Sequence, residues 1–145
     1  VSIRSDEAAR GPGASPQAQA LGLVTISLEK GVALLKAPYR ADLVGDPDRG
    51  VIAGGVVTTL LDHTCGFAVQ MTLEQPTFIA TLDLRIDYMR AAEPGLDVFC
   101  RAHCYKLTRS IAFVRASAYD RRLEDPVATA QAAFMITGPA TSAGA

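Results

Sequence analysis

The chain predicts an α+β fold in which a curved antiparallel β-sheet wraps around a long central helix, and three features of the sequence carry that expectation. The first is a proline-free apolar segment opened by Gly54 and Gly55 and running to about residue 73. The second is a run of four segments after residue 76 in which apolar and polar residues alternate with the period of a strand. The third is the frequency of alanine at the inward positions of those segments, which lets a helix sink close against the sheet.

Composition narrows the class. A length of 145 residues suggests one domain, with 49% hydrophobic residues, 20% charged residues and no Trp, which is globular composition. The formal net charge is −1 and no Lys/Arg run occurs, so neither nucleic acid nor an anionic membrane has an electrostatic footprint. Cys65, Cys100 and Cys104 are an odd set, and Cys100 and Cys104 share one strand parity, as inward small hydrophobes do. Reduced thiols fit a cytoplasmic home. Neither His63 nor His103 joins these cysteines at ligand spacing, so no metal is expected. No apolar run has the length of a membrane span, and the first residues lack the pattern of a signal peptide.

The elements follow in order. Residues 1–20 mix Gly, Pro, Ser, Ala and Gln without periodicity and read as a flexible segment; 21–138 form the domain, and 139–145 a tail, with looseness starting near Thr137. Two extended segments, 21–28 and 31–39, flank a Glu29-Lys30-Gly31 turn, and 42–50 is a loop. In the helix from about 55 to 73, Val56, Leu60, Phe67 and Met71 cover one side and Val57, Leu61, Cys65 and Ala68 the next. Thr58, Asp62 and Gly66, at steps of four, make a small polar stripe. After Glu74-Gln75-Pro76, alternation turns Phe78, Ala80, Leu82, Leu84, Ile86 and Tyr88 inward and Thr81, Asp83, Arg85 and Asp87 outward. The next strands bury Leu96, Val98, Cys100, Ala102 and Cys104; then Ala112, Val114, Ala116 and Ala118; then Ala128, Ala130, Ala132, Phe134 and Ile136.

The chemistry centres on Asp62, one carboxylate within an apolar helix. Gly54 and Gly55 bare backbone N–H groups at the helix start, where the dipole and unpaired donors favour an anionic oxygen, and a carboxylate two turns on completes an acyl-transfer site. Two structural readings stand beside this one: a hydrogen-bonded carboxylate that only holds the helix, and glycines that only serve a tight loop. His63 projects about 100° away from Asp62 around the helix, which suits packing. Arg90, Arg101 and Arg109 are either phosphate contacts or ordinary surface.

The stretches Asp46-Pro47-Asp48-Arg49-Gly50, Ala53-Gly54-Gly55, Leu60-Leu61-Asp62, Cys65-Gly66-Phe67-Ala68-Val69, Thr81 to Arg90 and Thr108 to Phe113 together resemble the hot-dog fold and its phenylacetate-pathway (PaaI-type) acyl-CoA thioesterases. The resemblance spans about residues 21–136. It implies hydrolysis of an aryl- or short- to medium-chain acyl-CoA, with coenzyme A as part of the substrate and no separate cofactor. It also implies a homodimer, often a dimer of dimers, with two strands joined across the interface and sites built from both subunits. In that frame Asp62 is general base or nucleophile, Gly54 and Gly55 N–H polarise the thioester carbonyl, and Thr81 positions the attacking water. Ala53, Thr58, Gly66, Arg90, Arg109 and Ser110 fall where substrate or coenzyme A would lie. Thr81 carries a conflict, since alternation turns it from its own helix and requires a bulge or a partner subunit.

Two positions depart from the family pattern. Ala53 stands where members carry His, and Pro47 where some carry Asn, leaving Asp46 or Asp48 as substitutes. The missing His motivates an alternative, a module that binds acyl-CoA or an aromatic ligand without hydrolysing it. Hydration or dehydration of an acyl thioester ranks third, because it pairs His with an acid.

Overall fold

A computed structural model describes residues 15–139. Its elements are α1 (Pro16–Leu21), β1 (Val24–Glu29), β2 (Val32–Ala37), a 3-10 turn (Ala41–Leu43), β3 (Val44–Asp46), β4 (Val51–Ile52), α2 (Gly54–Gln70), β5 (Thr77–Tyr88), β6 (Val98–Leu107), β7 (Ile111–Tyr119) and β8 (Ala128–Pro139). Six strands form one antiparallel sheet in the order β1-β2-β6-β7-β8-β5, and β3 pairs with β4 as a small separate hairpin.

Helix α2 lies across the inner face of the sheet, so the expected helix-in-sheet architecture holds. Leu60, Leu61, Cys65, Ala68 and Val69 are fully buried against it. Each leucine removed from water contributes roughly 1.5–3 kcal/mol. The facing strands offer small residues, among them Ala33, Ala102, Ala112, Ala118 and Ala128, all fully buried. The inward sets expected for β6, β7 and β8 are the buried sets observed, except that Leu96 is half-buried in the turn before β6 and Ile136 is half-buried near the end of β8.

The structure revises both ends of the chain. Residues 1–14 and 140–145 lie outside the described residues, but Pro16–Leu21 is a helix rather than loose chain. Ser15 Oγ accepts from Ala18 N at 3.1 Å, Pro16 opens the first turn, and Gly22 closes it at φ 70°. Thr137 belongs to β8, where its Oγ1 donates to the Phe78 carbonyl at 2.9 Å.

Strand β5 departs from simple alternation. Its register against β8 runs Thr81↔Phe134 and then Asp83↔Ala133, so Leu82 has no partner and forms a β-bulge. Directly paired residues share a face, so Ile79 opposite Ile136 and Thr81 opposite Phe134 look toward the helix. Beyond the bulge Leu84 and Ile86, opposite Ala132 and Ala130, take over that face. Phe78 and Leu82, expected inward, are therefore 58% and 51% exposed, and Ala80 is exposed with them. One extra residue reverses the phase of half a strand. β5 is also an edge, bonded only to β8, and it leaves a long row of backbone groups and apolar side chains uncovered.

A buried ion pair fixes the turn after β5. The Asp120 carboxylate accepts from Arg90 Nη1 and Nη2 at 2.9 and 2.6 Å, and from the backbone N–H of Glu93 and Arg121 at 2.9 and 2.7 Å. These donors, Arg90 first, hold the Asp120 carboxyl well below the usual carboxylate range. A depressed pKa contributes stability that is complete above the unfolded value near pH 4 and is lost as pH falls through the folded one. Asp120→Asn should therefore cost about 2–3 kcal/mol at pH 7, below the fully buried case because Arg90 is partly exposed. Urea unfolding at pH 7 and pH 3 checks this: the gap between native and variant should narrow in acid, and a gap independent of pH would contradict it.

Candidate active site

Asp62 sits two turns into α2, half-buried, and the β5 bulge brings Thr81 onto it: Thr81 Oγ1 donates to Asp62 Oδ1 at 2.9 Å. The conflict over Thr81 is thus resolved within one chain, by the bulge. Asp62 and Thr81 open into a cavity of about 260 Å3 lined also by His63, Gly66, Phe67, Gln70, Ile79 and Phe134. Gly66 leaves this space free, since a Cβ there would reach only ordinary contact with Ile79 and Phe134 at 3.9 Å. The walls are largely apolar, with the carboxylate at one side.

His63 lines the same cavity and meets Phe67 edge to face at 4.9 Å between ring centroids. Burial holds its imidazole below the ordinary value against the pull of the Asp62 carboxylate. It is a neutral ring at neutral pH, which agrees with a packing role. The thiols are equally quiet: burial raises Cys65 well above its usual value and pushes Cys100 up to about 12. No described cluster of three or more His, Cys, Asp or Glu side chains has the arrangement of a metal site. No helix among the described residues is long and apolar enough to cross a membrane.

The glycines have no conformational reason of their own. Neither Gly54 nor Gly55 adopts positive φ, so a tight loop does not explain them. A Cβ on Gly55 would meet nothing within 4 Å, and one on Gly54 only Tyr88 at an ordinary 3.9 Å. Both are exposed at the first turn of α2, where the N-cap Ala53 supplies no side-chain bond, and neither N–H has an acceptor among the described residues. Glycine in place of alanine costs a helix up to about 1 kcal/mol. Two of them at an open helix start leave backbone donors accessible to something outside this chain.

These two halves do not meet within one chain. Gly54 lines a second cavity, of about 360 Å3, with Val51, Val57, Tyr88, Met89 and Arg90 among its walls. Eight residues at 1.5 Å per residue separate Gly54 from Asp62 by about 12 Å. The residues expected to form one site along the helix therefore fall into two separate cavities. Thr58 divides the expected stripe, since it lies with Gly54 and Tyr88 while Asp62 and Gly66 share the other cavity.

The remaining candidates separate similarly. Arg90 borders the glycine cavity, but its guanidinium is bonded to Asp120 and Asp125. Arg109 and Ser110 form the exposed tip of the β6–β7 hairpin and line none of these cavities. Ala53 is packed beneath Gly45, where any Cβ would come within 2.9 Å of the Ala53 Cα. Asp46 caps its own turn by accepting from Asp48 N at 3.2 Å, and Asp48 is exposed. Sequence reasoning missed Tyr88 at the glycine end and the wall formed by Gln70, Ile79 and Phe134. For Tyr88 a signal existed: a polar tip at the end of an inward-facing series.

A family model described as Thioesterase superfamily matches residues 49–126, a segment that includes Gly54, Gly55, Asp62, Thr81 and Tyr88. The chain belongs to the thioesterase superfamily, in its hot-dog fold. A protein of Pseudomonas aeruginosa is similar to it at 39% identity and a TM-score of 0.80, over 90% of this chain and 96% of that one. A variant of the phenylacetic acid degradation protein PaaI from Thermus thermophilus is similar at 27% identity and a TM-score of 0.73, over 84% of this chain and 99% of that one. A Halobacterium salinarum protein named as a candidate esterase is 34% identical over 79 residues, 52% of each sequence. The chain thus spans about half the length of the curated relative it matches.

Proposed function

We propose that the protein hydrolyses an acyl-CoA thioester, with Asp62 of one subunit and the Gly54–Gly55 amides of another forming each site. The observation that carries this reading is the pair of helix-initial glycines, whose unpartnered N–H groups and open approach serve nothing within their own chain. A second copy completes the site by simple geometry. Residues 54 and 62 are equally spaced about Thr58, so a two-fold axis near Thr58 with antiparallel helices brings one copy's Gly54 beside the other's Asp62. The uncovered edge of β5 is suited to such pairing. A dimer of dimers is an extension of the same proposal.

In the reaction the Asp62 carboxylate removes a proton from water as the water oxygen bonds to the thioester carbonyl carbon. The carbonyl oxygen takes up negative charge and is held by the glycine N–H groups. Collapse breaks the carbon–sulfur bond, and the thiolate of coenzyme A leaves and takes the proton. Direct attack by Asp62 through an acyl anhydride is the other route open to the same carboxylate. Thr81 fixes the carboxylate by its hydrogen bond, and the apolar cavity beside it receives an aryl or short- to medium-chain acyl group. This chemistry needs no resident cofactor or metal, and the reading includes a cytoplasmic setting where acyl-CoA is met.

A thiol-release assay across aryl- and alkyl-CoA esters tests the proposal. Turnover with at least one ester class is expected. Calorimetric binding of the same esters without release of thiol would favour the non-hydrolytic module instead, for which Ala53 remains the motivating feature.

A further inference from the structure

The carbonyl of Gly54 is held by two hydroxyls, one from its own helix and one from β5. Thr58 Oγ1 donates to it at 3.0 Å, and Tyr88 Oη, from the end of β5, donates to it at 3.1 Å; the two hydroxyls also touch each other. Hydroxyl bonds back to the preceding turn are common in α2: Thr59 to Gly55, Thr64 to Leu60 and Thr72 just beyond to Ala68. Among the described residues, the Gly54 carbonyl differs from those in receiving a second hydroxyl from a strand. Each hydroxyl has one proton, so if one donates to the other, the remaining proton still goes to Gly54.

That carbonyl belongs to the same peptide group as the N–H of Gly55. A hydrogen bond accepted by the oxygen of an amide polarises its N–H, and it also fixes the plane in which that N–H lies. Fixing matters here, because two adjacent glycines have the widest backbone freedom of any pair and Ala53 offers no side-chain cap. We infer that Tyr88 is a positioning residue that, together with Thr58, orients and polarises the Gly54–Gly55 peptide and so sets Gly55 N–H, one of the two donors proposed to meet the thioester oxygen. The inference rests on the proposed thioesterase reading for its effect on turnover, but not for its effect on the peptide.

Tyr88→Phe in the full chain tests it by two readouts. The first is the Gly55 amide proton in a nitrogen–proton correlation spectrum, expected to move upfield in Tyr88→Phe and again in Thr58→Val. The second is kinetics, where Tyr88→Phe should lower kcat about three- to tenfold, as loss of one hydrogen bond does, with KM nearly unchanged. A Gly55 amide that stays in place in both variants overturns the clamp. So does a shifted amide with native kcat in an active protein, or a loss confined to KM. If the native protein releases no thiol from any ester, it is the proposed function that fails, and the amide shift alone then decides whether the clamp exists.

Discussion

Asp62→Asn should lower turnover at least about a hundredfold, the lower range for loss of a general base, while the protein stays folded. The two side chains have nearly the same shape. Asparagine still accepts from Thr81 Oγ1 through its amide oxygen, so the geometry at 2.9 Å is preserved and only the ability to take a proton, or to attack, is lost. Asp62 is half-exposed and has no ion-pair partner among the described residues, so neutralising it leaves no opposite charge stranded. Circular dichroism and thermal unfolding should match the native protein closely. Near-native hydrolysis by the variant would reject Asp62 as base or nucleophile.

Gly54→Pro should cost about a hundred- to a thousandfold in kcat, the range found when one oxyanion donor is removed. Proline is an unusually clean probe here. Gly54 is the first residue of α2, where proline's fixed φ is compatible with the helix and its missing N–H breaks no ladder bond. The preceding Ala53 has φ −59° and ψ 138°, the extended backbone that a residue before proline requires. The added Cβ would meet Tyr88 at an ordinary 3.9 Å. What disappears is the amide proton. A variant of native stability and native kcat, measured by thermal unfolding and thiol release, would remove Gly54 N–H from the site.

The architecture was legible because most of it is written in uninterrupted periods. The buried positions of β6, β7 and β8 follow strict alternation, and the burial of α2 follows from its glycine start and apolar content. Failures fall where a local pattern meets a property of pairing. The bulge at Leu82 exists in the register of β5 against β8, and no period within β5 announces it, so Phe78, Ala80, Thr81 and Leu82 take the faces opposite to those alternation gives them. Helix α1 carried its punctuation in Ser15, Pro16 and Gly22, but six residues are too few to display a period. Arg90 reads as a phosphate contact or ordinary surface because Asp120, thirty residues away, becomes its neighbour only in the fold.

For the candidate site, the sequence singles out residues to test, while their grouping is set by the fold. A spacing of eight places Gly54 and Asp62 on one helical stripe, which suggests proximity, but the rise of the helix sets them about 12 Å apart. Thr81 reached Asp62 through the bulge rather than through a partner. The inward series of β5 includes Tyr88, but its contact with Gly54 depends on where a strand ends relative to a helix start.

Mixing the two inactive variants tests the shared site most directly. Asp62→Asn and Gly54→Pro chains are unfolded together in equal amounts, refolded, and assayed for thiol release beside each variant refolded alone. In a hybrid dimer one site combines both lesions and the other combines an intact Asp62 with intact glycines. Half the dimers are hybrids with one working site in two, so about a quarter of native activity should return. A mixture no more active than its parents would mean that each chain supplies its own carboxylate and amides, and would contradict the account.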